Sequence, residues 1–561
     1  MVGVPRSQAC RTCRRKKKGC DLERPVCGQC ARLSTTCTWD ERRWTFKVHG
    51  TGLPVPSSAN DDAPSSLVPL PPLDLRQSLD RTAVRHQVEG EFWAAYLPGG
   101  RSFSRSSANL VVAAPTTLTL RFLASQDDTV RFALDACTFM TLGRLRGDES
   151  LSRQGKVFYG VALRGTNRAL QHPIHARADG TLAACRLLSM CEIFRGGDQG
   201  QAISTQGSAW QSHAEGIVRV LEFRGPRAHV TEHGHALFQA ARLNCAIAGL
   251  TARRSAALSS ARWLTLPWSG LERTLTDELV DVLVSVTCRL QEQEDFLESS
   301  ADVSRKDAAS SPERGQAVLR LCMQTSDSLM LWEAKALSRC TTPAPPDGTE
   351  PPRDLEAMCK LHGFGFFHLV MQYWAACIIH YSRTWFLCRR IGPTPPHPSN
   401  LSTRAGTCPT PIPDPQRYSA AIARNCSHYF EPPSISGPGG GLLGAQAAAF
   451  PMGGALHYYA ATGQIGSAEM GEMRRVLRGG RLAGFTSGFL RSLATSDPVP
   501  AGIRGDVSDK QAHSRIAANY FGVDGSRDAG RSSGSAAGWH KSSDSEVPSS
   551  RGSVGSEDIV G

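Results

Sequence analysis

The chain has 561 residues and a net charge of +12, from 63 Lys and Arg against 51 Asp and Glu. A chain of this length is expected to form roughly two to four domains, and a composition that is 40% hydrophobic and 20% charged excludes a wholly disordered protein. The 18 cysteines are too sparse for a scaffold built on disulfides.

Positive charge and cysteine are concentrated at the start of the sequence. The first 50 residues contain 12 Lys and Arg, 4 Asp and Glu, and six of the cysteines. The basic character therefore belongs to a short segment, which a nearly neutral body follows. Residues 1–10 contain no apolar stretch, so we expect no secretory signal. In a reducing compartment the thiols are expected to be metal ligands, core residues or redox sites rather than structural disulfides.

Six cysteines form two identical C-x2-C-x6-C units, at Cys10, Cys13, Cys20, Cys27, Cys30 and Cys37. Each C-x2-C pair is able to place two sulfurs on one metal ion. Two tetrahedral zinc ions need eight ligand positions, so two of the six thiolates must bridge. The pattern predicts a closed, structural zinc cluster that supplies the folding energy of a segment with little core of its own. Incidental thiols or a redox site are the alternatives, and a catalytic zinc is disfavoured because it needs an open coordination position.

Residues 10–30 resemble the DNA-binding domain of fungal Zn2Cys6 transcription factors, including the loop proline Pro25, two residues before the fourth cysteine. The resemblance implies two Zn²⁺ ions, with Cys10 and Cys27 as the bridging ligands. One ion would take Cys10, Cys13, Cys20 and Cys27. The other would take Cys27, Cys30, Cys37 and Cys10.

A run of cations follows the second cysteine, and residues 11–18 are predicted to form a short helix that presents them. Clustered cations bind duplex phosphates with strong salt dependence, and contacts with base edges specify the sequence. The resemblance implies that this helix docks in the major groove at a CGG-like triplet. It assigns base reading to Lys16 and Lys17, and phosphate contacts are expected from Arg11, Arg14, Arg15 and Lys18. The alternative for this run is a solvated basic face or a nuclear-import signal, and import is compatible with DNA binding.

Gly19 departs from the family pattern, because many members have Lys immediately before the third cysteine. Glycine suits a tight or left-handed turn. Its presence removes one cation and leaves the triplet preference open.

The rest of the chain is predicted to be mainly α-helical, with little of the alternation typical of strands. Apolar periodicity predicts helices over 127–147, 154–171, 179–195, 206–223, 232–250, 271–297, 315–339, 354–390 and 454–478. Pro-rich stretches are expected to interrupt the helices at 342–352, 392–416 and 431–441. The most apolar segment, 366–388, contains polar residues that favour a buried helix over a membrane span.

These patterns predict four regions. They are a Zn2Cys6 DNA-binding domain at 6–47, a Pro/Ser-rich linker at 48–78, an α-helical regulatory domain at 79–497 and a disordered Ser/Gly-rich tail at 498–561. Part of the helical region resembles the fungal-specific transcription factor domain, in residues 187–194, 210–216, 224–226 and 263–268. Within these stretches, Trp210 and His213 are expected to be core or helix-contact residues.

Two sequence motifs in the body resemble chemical sites, but the residues around them do not support a nucleotide or metal site. Residues 439–444 fit G-x-G-x-x-G, but no strand precedes them and nearby prolines predict a loop rather than a dinucleotide site. Cys377, His380 and Cys388 lie on the predicted buried helix, where cysteine behaves as a small apolar residue. We find no nucleophile elbow, P-loop or kinase signature, so the sequence predicts a protein that is not an enzyme.

Together, these features predict a nuclear, zinc-dependent, sequence-specific DNA-binding factor that regulates transcription by RNA polymerase II. Its expected partners are double-stranded DNA and co-regulators or the transcription machinery, and no membrane. The alternatives are a metal or redox sensor, and an enzyme or metabolite-binding protein that the zinc module tethers to chromatin. The segment after the cluster contains too few heptads to predict a coiled coil, so the sequence leaves monomer and homodimer equally open.

Overall fold

The computed structural model describes residues 10–16, 18–21, 26–38, 75–97, 114–195, 204–252, 257–301, 312–339, 354–359, 362–391, 412–432 and 439–496. The tail predicted at 498–561 lies outside these residues, as does the linker predicted at 48–78 except for its last four positions. Helices account for most of the described residues, and no strand occurs among them.

Nineteen α-helices occur in the described part of the chain. Two short ones belong to the cysteine-rich segment, α1 (Arg11–Arg15) and α2 (Gly28–Arg32). The body contains α3 (Leu75–Tyr96), α4 (Ala114–Gln126), α5 (Asp128–Arg146), α6 (Glu149–Gln171), α7 (Asp179–Arg195), α8 (Ser204–Arg224), α9 (Glu232–Ala252), α10 (Ala261–Thr265), α11 (Leu275–Ala301), α12 (Pro312–Arg339), α13 (Leu355–Cys359), α14 (Gly363–Ile391), α15 (Pro415–Asn425), α16 (Gly441–Ala447), α17 (Ala449–Ala461), α18 (Ala468–Arg478) and α19 (Arg481–Ser496).

Side-chain caps explain where several body helices begin. Asp127 accepts from the backbone N–H groups of Thr129 and Val130 at the start of α5, and Asp148 does the same for Ser150 and Leu151 at the start of α6. Such caps satisfy amide donors that have no partner within the helix. The helical body predicted from apolar periodicity is confirmed.

The structure differs from the expected helices at four Pro- or Gly-rich places. The predicted helix at 454–478 is two helices, α17 and α18, and Gly463 lies between them with a φ of 74°. The predicted helix at 354–390 is two helices, and Gly363 begins the second one with a φ of 71°, which favours glycine. The stretch 392–416 was predicted to be a break, but Pro415 occupies the first turn of α15, where proline is well tolerated. The loop predicted at 431–441 gives way to α16 at Gly441, and a Cβ on Gly444 would overlap the carbonyl oxygen of Tyr429.

Two large hydrophobic cores and one small cluster occur among the described residues of the body. The N-terminal core joins α3 to α9 and includes the fully buried aromatic residues Phe92, Phe194 and Phe238. The C-terminal core joins α11 and α12 to α13–α15 and α17–α19, and includes Trp332 and Tyr373. Helix α9 contributes to both cores, so the two halves of the body are packed together.

Helix α14 is a buried helix, as the sequence predicts for residues 366–388. Nineteen of its residues are buried, and it packs against α11, α12, α15 and α17. Within the described residues, no helix combines the length and the apolar character needed to cross a bilayer.

The residues singled out by the body's family resemblance lie in its interior. Trp210 and His213 are each 3% exposed. The Tyr159 hydroxyl lies 2.9 Å from Nε2 of His213 and donates a hydrogen bond of 2.6 Å to a carboxylate oxygen of Glu192. Burial raises the pKa of Glu192, and the nearby Arg195 opposes that rise. These contacts join α6, α7 and α8 and give the residues a packing role.

Candidate zinc and nucleic-acid site

Cys10 and Cys27 occupy the same place in two short helices. Cys10 is the N-cap of α1 and its sulfur lies 3.3 Å from the backbone nitrogen of Cys13. Cys27 is the N-cap of α2 and its sulfur lies 3.3 Å from the backbone nitrogen of Cys30. An N–H donor at a helix N-terminus stabilises negative charge, so each cap favours the thiolate form of its cysteine.

The six thiols form two overlapping groups of four that share Cys10 and Cys27. The sulfurs of Cys10, Cys13, Cys20 and Cys27 all lie within 4.8 Å of one another. The same limit holds for Cys10, Cys27, Cys30 and Cys37. Four of these cysteines are buried, and Cys20 and Cys37 are partly exposed.

The donor set and its spacing fit zinc. Sulfurs that sit about 2.3 Å from one tetrahedral ion lie about 3.8 Å from one another. The Cys10 and Cys27 sulfurs are 3.8 Å apart, Cys10 and Cys30 are 3.7 Å apart, and Cys13 and Cys27 are 3.6 Å apart. All the ligand positions are sulfur, which is the closed donor set of a structural zinc site rather than the open one of a catalytic site.

Metal binding at these thiols must displace protons. Desolvation by burial is the main cause that raises the pKa of Cys37 to about 12, and it also raises the pKa of Cys13. Zinc binds thiolates, so its binding releases protons and weakens as the pH falls.

The backbone repeats itself at an interval of 17 residues. The Arg14 amide donates to the Cys10 carbonyl and the Ala31 amide to the Cys27 carbonyl, both at 2.9 Å. One turn later, the Lys18 amide donates to Cys13 at 3.0 Å and the Thr35 amide to Cys30 at 3.0 Å. The bonds from Lys18 and Thr35 lie at the C-terminal ends of α1 and α2, which are each five residues long. The helix predicted over 11–18 is therefore too long, since α1 ends at Arg15.

Each half of the cluster caps the helix of the other. The amide of Arg11 in α1 donates to the backbone carbonyl of Thr38 at 2.6 Å. The amide of Gly28 in α2 donates to the carboxylate of Asp21 at 2.8 Å. Asp21 and Thr38 each follow the last cysteine of their unit. Asp21 was not predicted as a site residue, and the 17-residue repeat is the sequence signal that pairs it with Thr38.

The cations of the first half face solvent. Arg11, Arg15, Lys16 and Lys18 are exposed, and Arg14 is partly exposed. Lys17 lies outside the described residues. The structure thus places five of the six predicted DNA-binding residues on or just after α1.

Gly19 does not adopt the left-handed conformation that the sequence suggested. Its φ lies outside the positive range, and a Cβ at this position would meet no atom within 4 Å. The local backbone and the surrounding space both accept a larger residue here, so the glycine is not required by the turn.

Comparison with known families gives two matches. The model of the fungal Zn(2)-Cys(6) binuclear cluster domain matches residues 8–44, and that of the fungal specific transcription factor domain matches residues 115–265. The first match means that the six cysteines form a cluster that binds two zinc ions. The second match covers α4 to α10 of the body.

A curated relative also matches part of the chain. An uncharacterized protein of Emericella nidulans is 28% identical over 201 residues, which are 36% of this chain and 41% of the relative. The match therefore spans about two-fifths of that relative's length. No solved structure matches the chain. The chain thus matches the fungal Zn(2)-Cys(6) binuclear cluster domain at its start and the fungal specific transcription factor domain in part of its helical body.

Proposed function

We propose that this transcription factor binds DNA sequence-specifically through its zinc cluster and regulates transcription by RNA polymerase II in the nucleus. The observation that carries the proposal is the sharing of Cys10 and Cys27 by both sulfur groups. Because these cysteines are also the N-caps of α1 and α2, metal binding fixes the position of both helices. The cations on and after α1 are then presented as one rigid surface.

The six cysteines hold the metal in this proposal, with Cys10 and Cys27 as the bridging ligands. Zinc supplies structure rather than chemistry, because a closed sulfur shell has no position for a reacting group. The exposed Lys16, together with Lys17, reads base edges of a CGG-like triplet in the major groove. Phosphate contacts come from the remaining cations, Arg11, Arg14, Arg15 and Lys18.

We further propose that the helical body is the regulatory region and has no catalytic role. Two observations support this division of labour. The polar side chains Tyr159, Glu192 and His213 are bonded to one another in the interior rather than lining an open cleft. The Gly-rich stretch at 439–444 packs against Phe364 and Tyr429, which explains its glycines without a nucleotide. The proposed domain bounds are 6–47 for the cluster and 79–497 for the body.

A gel-shift experiment with the full chain tests the zinc dependence of DNA binding. Duplexes that contain CGG triplets are compared with duplexes in which the triplets are scrambled, with and without a zinc chelator. We expect preferential binding to the CGG duplex that the chelator abolishes and that zinc restores. Binding that survives chelation contradicts the proposal. The mobility of the complex also distinguishes a bound monomer from a homodimer.

Two substitutions separate base reading from phosphate contact. Lys17→Ala is expected to lose about 1–3 kcal/mol of discrimination between the two duplexes. Arg14→Ala is expected to weaken binding to both duplexes alike and to lower the salt dependence. Equal losses on both duplexes from both substitutions would contradict the assignment of roles.

A further inference from the structure

A polar cleft in the helical body is lined by residues of α10, α11 and α12 and by Ser259. It has a volume of about 260 Å³ and nine lining residues. Two of these, Leu264 and Val284, form an apolar side. The polar residues used below are Ser285, Cys288, Arg289, Thr325 and Ser328. Sequence analysis assigned nothing to these residues.

Arg289 brings an unused donor to this cleft. One end of its guanidinium, Nη2, donates to a carboxylate oxygen of Glu292 at 2.8 Å. Its Nε is buried and has no hydrogen-bond partner among the described residues. Nε itself has almost no accessible surface, but the remaining nitrogen, Nη1, also lacks a hydrogen-bond partner among the described residues, and the side chain is 17% exposed. Every N–H of a guanidinium is a donor, so an acceptor that enters the cleft is able to bond Nη1. Hydrogen bonds between a guanidinium and a carboxylate are about twice as strong as neutral ones.

The hydroxyl groups of the lining residues offer hydrogen-bond acceptors, whereas Arg289 offers a donor. Each donates its hydrogen to a carbonyl four residues earlier in its own helix. Ser285 bonds Asp281 at 3.0 Å, Thr325 bonds Leu321 at 3.2 Å, and Ser328 bonds Gln324 at 3.0 Å. Since a hydroxyl oxygen has two lone pairs, these three oxygens are left as acceptors. They therefore suit a ligand with several hydroxyl groups.

We propose that this cleft binds a small polyhydroxylated carboxylic acid. The carboxylate accepts from Nη1 of Arg289, and the ligand's hydroxyls donate to the acceptor oxygens of Ser285, Thr325 and Ser328. None of the nine described lining residues is acidic, so the lining itself does not repel an anion. Glu292 neutralises part of the charge of Arg289, which limits the ligand to low net charge. The site lies in the body and does not depend on the proposed DNA binding.

Cys288 is a built-in reporter for occupancy, because it lines the cleft and is partly exposed. The full zinc-loaded protein is treated with iodoacetamide, and the alkylation rate of each cysteine is read from its peptide by mass spectrometry. The probes are gluconate, glucose (hydroxyls without a carboxylate) and succinate (carboxylates without hydroxyls). We expect gluconate to slow alkylation of Cys288 about tenfold once it exceeds its Kd about tenfold. Cys388, partly exposed and outside the lining, is the internal control.

Substitutions identify the contacts. Arg289→Gln should abolish the protection of Cys288, and Ser328→Ala, at an exposed position, should weaken it several-fold without affecting the fold. Ser338→Ala removes a comparable exposed hydroxyl on α12, outside the cleft, and should change nothing. Equal protection by glucose or succinate, or protection that persists in both cleft variants, overturns the proposal. So does a rate that gluconate leaves unchanged at millimolar concentration.

Discussion

The two halves of the zinc cluster share a pattern of backbone hydrogen bonds but differ in the number of cations near their helices. Shifted by 17 residues, Cys10, Cys13 and Cys20 superimpose in sequence on Cys27, Cys30 and Cys37, and the same amide-to-carbonyl bonds recur in both halves. Only one of the cations recurs, Arg15 as Arg32. Where the first half has Arg14, Lys16, Lys17 and Lys18, the second half has Ala31, Leu33, Ser34 and Thr35.

This difference separates the cysteines, which form the cluster, from the cations, which are proposed to bind DNA. Cysteine spacing is enough to repeat the fold, because each unit supplies one N-cap thiol that both metal sites share. Except for Arg15, which has Arg32 as its equivalent, these cations are not needed to form the repeated fold, since neutral residues hold the equivalent positions in the second half. Their concentration on and just after one helix therefore favours a partner with negative charge, and the proposed partner is the DNA backbone.

Zinc removal is expected to have the largest effect on the stability of the cluster. It tests whether the two halves unfold together. Because Cys10 and Cys27 serve both metal groups, neither half has a complete ligand set alone. We expect a chelator to remove amide hydrogen-exchange protection from 10–16 and 26–38 together, with a loss of about 10–16 kcal/mol of metal-linked folding energy. Acidification should weaken zinc binding in the same direction, because protons compete for the thiolates.

The body is the control for that measurement. Helices such as α5 and α7 are held by the N-terminal hydrophobic core, and no candidate metal group occurs among the described residues of the body. Their exchange protection should survive chelation. Retention of protection in one half of the cluster while the other loses it would contradict the shared-ligand arrangement.

Much of this architecture was predictable from sequence, but the exceptions have physical causes. Apolar periodicity located α7 at its observed bounds, because its buried face is continuous. It missed α15, since Pro415 was interpreted as a helix breaker when it stands at the first helical position behind the N-cap Asp414. The six cysteines were evident from spacing. Asp21 was not, because its contact with Gly28 exists only once both units are folded together.

An exchange of side chains between equivalent positions is expected to have the next largest effect. Lys16→Leu places the residue of the second half into the first, and Leu33→Lys does the reverse. Both side chains are exposed, so neither change should disturb the cluster. Lys16→Leu should weaken binding to a CGG duplex by about 1–3 kcal/mol, the value of one base-reading contact. Fluorescence anisotropy at fixed salt measures the affinity.

The reverse substitution sharpens the comparison. Leu33→Lys adds a cation to the helix that the proposal keeps out of the groove, and we expect no gain in discrimination between CGG and scrambled duplexes. If Leu33→Lys restored discrimination to the Lys16→Leu variant, the two helices would be interchangeable in DNA recognition. The assignment of base reading to the first half would then be wrong.

The smallest expected effect concerns the first backbone amide of each helix, which bonds a different kind of acceptor in the two halves. In α2 the amide of Gly28 donates to the Asp21 side chain, whereas in α1 the amide of Arg11 donates to the backbone carbonyl of Thr38. Asp21→Ala removes the acceptor, and loss of a capping acceptor costs about 1 kcal/mol. Because folding and metal binding are coupled, the apparent zinc affinity in a chelator competition should fall about fivefold.

Thr38→Ala is the matched control at the equivalent position. It leaves the backbone carbonyl in place, so the zinc affinity should equal that of the native chain. Asp21→Asn keeps an oxygen acceptor and should recover most of the loss, which separates the hydrogen bond from the charge. A Thr38→Ala loss as large as that of Asp21→Ala would mean that both positions act through their side chains. The cap of α1 would then not be the backbone bond from Arg11 to Thr38.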